Sequence, residues 1–248
     1  MTGNAHANRY YIGWDVGGWN CDKNPRSRDA IVILNTDMDI VGTPWRGNLR
    51  QAINKAGSTE KWISTLFSLC SSTLTEQASE VTLAIDTPLG FSTQFVGLVT
   101  GLKHVQTLEQ SNTNQYLFRQ TERYLFEQGH KPLSPIKDMI GSQATKGMHV
   151  LAKFAPTAVP CGVWTDGKML TAIEAYPSVC KKSATIAKLR RDFSDLKHED
   201  EKDAYTCALI AYLFAEKPEL LVAPESLISA CEGWIWIPKD AVTSEGML

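Results

Sequence analysis

The chain has 248 residues, 43% of them hydrophobic and 21% charged, with 25 basic against 27 acidic side chains. This length supports one large domain with its own core. A net charge of −2 excludes a generally basic nucleic-acid coat protein, so any nucleic-acid contact must come from a local patch. The longest uninterrupted apolar stretch, Cys207 to Ala215, is nine residues, well short of the roughly 18 that a spanning helix needs. The opening Met1 to Arg9 is polar and has no apolar leader, and the six cysteines are scattered without a CxxC pair. These features predict a cytoplasmic protein with free thiols, no membrane association and no thiolate zinc site.

In chain order, Tyr10 to Val16 is an aromatic and β-branched run that ends at Gly17-Gly18. Ala30 to Asn35 and Ile40 to Trp45 follow, and three short extended segments with polar connections predict an antiparallel meander. Ser58 offers an N-cap, after which Trp62, Leu66, Leu69 and Cys70 share one helical face. Val81 to Ile85 reads as a buried strand stopped by Thr87-Pro88-Leu89-Gly90. Residues 92–155 form a helical and irregular insertion, whose clearest helix is Asn114 to Gln128, closed by Gly129. Val163-Trp164 and Leu170 to Tyr176 are two strands around the hairpin signal Asp166-Gly167. A basic helical stretch, Lys181 to Arg191, leads through an acidic link to a strong helix from about Asp200 to Glu216. There Ala204, Cys207, Ala208 and Ala211 make a small-residue stripe suited to packing on a sheet. The expected architecture is one mixed α/β domain over residues 1–248.

Four acidic residues stand at strand ends or helix starts: Asp15 in the first strand, Asp86 after the apolar strand, Glu174 in the later hairpin and Asp203 in the last helix. A carboxylate in or just after an apolar strand is costly unless it is paired or binds metal. Each has a structural alternative, such as turn shaping for Asp15, an ion pair with Lys181 or Arg190 for Glu174, or a helix-dipole charge for Asp203. Asp200, three residues earlier, competes with Asp203 for the same role. Taken together, the chemistry that uses such a set is divalent-metal phosphoryl transfer, because Mg²⁺ and Mn²⁺ favour oxygen ligands.

The stretches GWDVGG (Gly13 to Gly18), AIDTPLG (Ala84 to Gly90), RQTER (Arg119 to Arg123), EAYPS (Glu174 to Ser178) and KDAYTCALIA (Lys202 to Ala211) span nearly the whole chain. In these motifs and their order the chain resembles the RNase H-like superfamily. More narrowly, it is similar to a domain-of-unknown-function family of predicted RNase H-like nucleases. The resemblance implies an RNase H-like mixed sheet, with antiparallel N-terminal strands followed by parallel strands, flanked by helices. It further implies Asp15, Asp86, Glu174 and Asp203 as catalytic and metal-binding residues. They would hold Mg²⁺ or Mn²⁺, as two ions, in a nuclease that hydrolyses phosphodiester bonds. The family's arginine helix maps to Arg119 and Arg123, with Glu122 at the acidic position between them.

On the residues alone, Arg119 and Arg123 at i, i+4 can grip one phosphate from one helical face, or else face solvent bridged to Glu122 or Glu127. Lys181 and Lys182 open a basic run that can guide the backbone of a nucleic acid or nucleotide substrate, and an ordinary solvated helix face is the alternative. His198, ahead of the last helix, is a candidate proton shuttle or a surface residue. The segment Gly141 to Gly147 lacks the GxxxxGK[ST] order and is not a phosphate loop. Two other readings are a non-catalytic binding module on the same fold and an actin-like kinase. The kinase needs two copies of the fold, and the chain has room for one.

Overall fold

The structure is a computed structural model that describes residues 8–74, 79–159, 161–191, 193, 196–225 and 228–242. Its eight strands are β1 (Asn8–Asp15), β2 (Asp29–Leu34), β3 (Trp45–Gly47), β4 (Ser79–Asp86), β5 (Thr157–Ala158), β6 (Val163–Thr165), β7 (Leu170–Ala175) and β8 (Ile235–Trp236). They form one mixed sheet in the order β3-β2-β1-β4-β7-β6-β5, and β8 pairs with the end of β7. The first three strands are antiparallel, while β4 runs parallel to β1 and β7 parallel to β4. This is an α/β fold with antiparallel and parallel strands in one sheet, as the sequence predicts.

Helices cover both faces of the sheet, which is why its central strands are apolar on consecutive residues instead of alternating. Ile12, Trp14, Ile31, Ile33, Leu83 and Ile85 point into one core. That core is closed by α1 (Arg50–Lys55), α2 (Thr59–Leu69) and α5 (Asp138–Phe154). Tyr11, Ala30, Val32, Leu34, Ala84 and Ile173 point into the other, under α8 (Glu199–Glu216). Ser58 caps α2, its hydroxyl accepting from Lys61 N, and Trp62 of that helix stacks on Phe154 at 5.2 Å.

The expected small-residue stripe lies where α8 crosses the sheet, and Ala204, Cys207, Ala208 and Ala211 are fully buried. Opposite them is Gly13 of β1, where an added Cβ would sit 1.8 Å from Ala204 O and 2.4 Å from Ala208 N. Helix and strand thus meet backbone to backbone.

Several elements differ from expectation for identifiable reasons. The third strand is not Ile40 to Trp45: Ile40 makes only a single bridge to Leu34, Gly42 turns the chain at φ 73°, and pairing begins at Trp45. The helix expected from Asn114 is α4 (Gln120–Glu127). It starts late because Arg119 holds extended backbone, φ −75° and ψ 173°, as its N-cap. It closes at Gly129, φ 81°, as anticipated. The longest helix of the insertion, α5, has no clean apolar period, because Gly147 and Lys146 share its buried face with Ala144, Val150 and Phe154. The insertion also carries α3 (Thr93–Gly101). Of the expected basic helix Lys181 to Arg191 only α7 (Ala184–Leu189) is helical, started by Ser183, whose hydroxyl accepts from Ile186 N at 3.1 Å, and the short α6 (Pro177–Cys180) precedes it.

No helix among the described residues is long and apolar enough to cross a membrane. All six cysteines are free thiols, and only Cys231 is exposed. Replacement of Gly13 by alanine is expected to cost about 3 kcal/mol, because α8 must lift off β1. Chemical denaturation of Gly13→Ala checks this, and a loss below about 0.5 kcal/mol would mean that the helix yields freely.

Candidate active site

Asp15 and Asp86 are the last residues of β1 and β4 and are register partners across the parallel pair. Each has the parity of the residues beneath α8: Asp15 faces with Tyr11 and Gly13, and Asp86 with Ala84. Asp203, in the first turns of α8, reaches the same corner from above. Burial pushes Asp86 up from the ordinary 3.8 to about 8, with the charges of Asp203 and Glu174 adding to it. Burial also raises Asp15 well above the usual range, followed by the charges of Asp86, Asp200 and Asp203. Asp203 is raised by burial too, opposed by the nearby Lys181 ammonium. Three half-buried carboxylates therefore repel one another at one end of the sheet. Among the described residues, none of the three makes an ion pair.

Glu174 is placed differently from the sequence expectation. It pairs in register with Ile85, so its side chain leaves the sheet on the face opposite Asp86. There Arg119 donates to it through both terminal nitrogens, at 2.7 and 2.6 Å, and Leu89 N donates at 2.9 Å. Both carboxylate oxygens are engaged in this buried network.

The arginines are also separated. Arg119 is fully buried, and its guanidinium is shared between Glu174 and Glu122. Burial alone would lower its pKa, but the two carboxylates outweigh that and raise it. Because Arg119 precedes α4 in extended backbone, it does not share a helical face with Arg123. Arg123 lines a second cavity, together with Tyr124, Glu127 and Trp234. The expected two-arginine phosphate grip is therefore not assembled.

Asp200 and Asp203 are distinguished by their partners. Asp200 accepts from Arg46 Nε at 2.7 Å and from Arg28 N at 2.9 Å, so it ties α8 to β3 and to the chain ahead of β2. Asp203 has no such tie among the described residues, and its charge acts on both Asp15 and Asp86. His198 caps α8, its Nδ1 accepting from Asp200 N at 3.1 Å, which gives it a structural post. Lys181 is exposed close to Asp203, while Lys182 is exposed and makes no ion pair among the described residues.

A buried pair unsuspected from the sequence lies behind the first motif. Lys146 of α5 and Asp29 of β2 are both fully buried and joined in an ion pair. Asp29 also accepts from Gly17 N at 2.9 Å, Leu49 N at 2.7 Å and Trp14 Nε1 at 3.1 Å. Lys146 donates to Gly17 O at 3.1 Å. Together they clamp the Gly17-Gly18 turn that follows Asp15. The only hint in the sequence is an acid immediately before an apolar strand.

Asp15, Asp86 and Glu174 line a cleft of about 200 Å³ at the strand ends. Its opposite wall comes from the insertion: Glu122, Pro132, Leu133, Ile140 and Gln143. Among the described residues, no three acidic, histidine or cysteine side chains are grouped so as to hold a metal ion by themselves. The donor set at Asp15 and Asp86 is all carboxylate oxygen. That suits Mg²⁺ or Mn²⁺ bound through one or two carboxylates and completed by water and substrate phosphate. Comparisons with protein-family models, curated proteins and solved structures find no significant match.

Two measurements follow from this arrangement. Asp86 keeps its proton to a higher pH in the folded protein than in the unfolded chain, so stability falls as pH rises from about 4 towards about 8. In metal-free protein, denaturation midpoints across that range should show the fall, and Asp86→Asn should make it shallower; equal slopes would remove Asp86 as its source. Arg119→Ala leaves two carboxylates buried without their cation and should cost about 3–5 kcal/mol in denaturant titration.

Proposed function

We propose that the chain is a metal-dependent hydrolase of phosphodiester bonds, a nuclease on an RNase H-like fold. The observation that carries the reading is the convergence of Asp15, Asp86 and Asp203 on one face of the sheet, where none of the three is ion-paired to a cation among the described residues. Such crowding is a standing cost in the empty site, and a divalent cation relieves it. The order of three antiparallel strands, then β4 and β7 parallel to β1, with α8 across β1, supports the RNase H-like assignment.

In this reading Asp15 and Asp86 would hold Mg²⁺ or Mn²⁺, two ions in all, and Asp203 would add a carboxylate from the helix. The chemistry that such ions would supply is activation of a water and stabilisation of the leaving oxygen of the phosphodiester. Asp86 has the largest part, because it lies between Asp15 on one neighbouring strand and the Glu174 network on the other. Glu174 is a positioning residue here. Held by Arg119, it fixes Leu89 and with it the Thr87-Pro88-Leu89 turn after Asp86. Lys181, beside Asp203, is the side chain best placed to meet the substrate's backbone charge, and nucleic acid or a nucleotide is the substrate class.

Calorimetric titration of Mn²⁺ into chelator-treated protein and into Asp86→Asn tests the reading. Binding by the wild type that drops at least tenfold in the variant is the expected result, with cleavage of DNA or RNA lost in parallel. Absence of binding in both proteins, with and without oligonucleotide present, would leave a non-catalytic module on the same fold.

A further inference from the structure

The polar groups of the cleft divide by whether the protein already uses them. Glu174 and Glu122 have both carboxylate oxygens committed, to Arg119 and to the backbone N–H groups of Leu89 and Arg119. Thr87 Oγ1 is closed to solvent, and Tyr176 has Ser178 beside its phenol. Asp15 and Asp86 make no ion pair among the described residues. The remaining group is Gln143 of α5, half-buried on the insertion side of the same cleft.

Gln143 is held by the donor end of its amide. Its Nε2 donates to Val16 O, the carbonyl directly after Asp15. A carbonyl only accepts, so the amide must present its NH2 there, and Oε1 is the atom left over. That oxygen is neither enclosed nor met by a protein donor among the described residues. Three residues on, Lys146 donates to Gly17 O at 3.1 Å. Residues three apart share a helical face, so one face of α5 grips two successive carbonyls after Asp15. This double grip fixes where the amide stands, at the end of β1, with its acceptor uncovered.

An uncovered acceptor beside two carboxylates makes a set of oxygens with no donor among them. Acidic, histidine and cysteine side chains do not by themselves complete a metal-holding group among the described residues. Carbonyl oxygens suit Mg²⁺ and Mn²⁺ as carboxylates and water do. A neutral amide adds an oxygen without adding a negative charge to Asp15 and Asp86, which already raise each other's cost.

We propose that Gln143 Oε1 is an oxygen ligand of the cation held by Asp15 and Asp86, so that the insertion supplies part of the metal centre as well as its wall. The inference rests on the metal-dependent reading above and adds a residue to that same site.

The test compares Mn²⁺ binding to chelator-treated wild type, Gln143→Met and Gln143→Glu, after thermal melts show that each is folded. Both variants lose the bond to Val16 O, but only the glutamate keeps an oxygen. Calorimetry gives the affinity, and broadening of the Mn²⁺ electron paramagnetic resonance lines in ¹⁷O-water counts the water ligands. Gln143→Met should bind Mn²⁺ about tenfold more weakly and carry about one more water on the ion. Gln143→Glu should keep the wild-type water count and bind at least as tightly. Unchanged affinity in Gln143→Met, a loss of affinity with an unchanged water count, or the same loss in both variants would overturn the ligand role. If the wild type binds Mn²⁺ through Asp86 and Gln143→Met binds it equally, the hydrolase reading stands and this inference falls. If the wild type binds no Mn²⁺, with or without oligonucleotide, both fall together.

Discussion

The contact on which the site depends is the backbone approach of α8 to β1 at Gly13. With no Cβ there, Ala204 and Ala208 settle directly on the strand, and the helix axis is brought close to the sheet. That closeness carries Asp203 to the corner where β1 and β4 end in Asp15 and Asp86. A larger residue at position 13 would raise the helix and draw its acidic first turns away from the other two carboxylates. Packing and chemistry are therefore linked through a residue that has no side chain.

The buried charges fall into two kinds. Asp29 with Lys146, and Glu174 and Glu122 with Arg119, are enclosed with their counter-ions and with backbone N–H donors. A buried pair of this sort adds little net stability but is costly to break, so it holds its surroundings in one arrangement. Here the surroundings are the turns that follow Asp15 and Asp86. Asp15, Asp86 and Asp203 form the second kind, acidic groups near one another with no ion-paired cation among the described residues. The compensated pairs hold rigid the turns beside which the uncompensated set sits.

The insertion decides what kind of space Asp15 and Asp86 face. Without α5 and the segment through Pro132 and Leu133, the strand ends would open onto solvent. With them, the acidic corner becomes a small cleft with an apolar wall. Gly147 contributes in the same manner as Gly13, since its missing side chain lets α5 press on Thr87 and Leu89.

The sequence by itself determined the order of the longer strands and of α2 and α8, the stripe on α8 and the placing of Asp15 and Asp86 at strand ends and of Asp203 in a helix start. These follow from local periodicity and from where acids interrupt apolar runs, which are properties of neighbouring residues. It also pointed to Glu174 and Arg119 as residues of consequence, but not to the fact that they satisfy each other. Only tertiary structure decided that, because the β4–β7 register aligns Glu174 with Ile85 and turns its carboxylate to the opposite face from Asp86. The same holds for Lys146 with Asp29, 117 positions apart, and for Asp200, which pairs with Arg46 of β3. Which charge meets which partner depends on segments far apart in the chain, and one residue of register or one turn of helix reverses the answer.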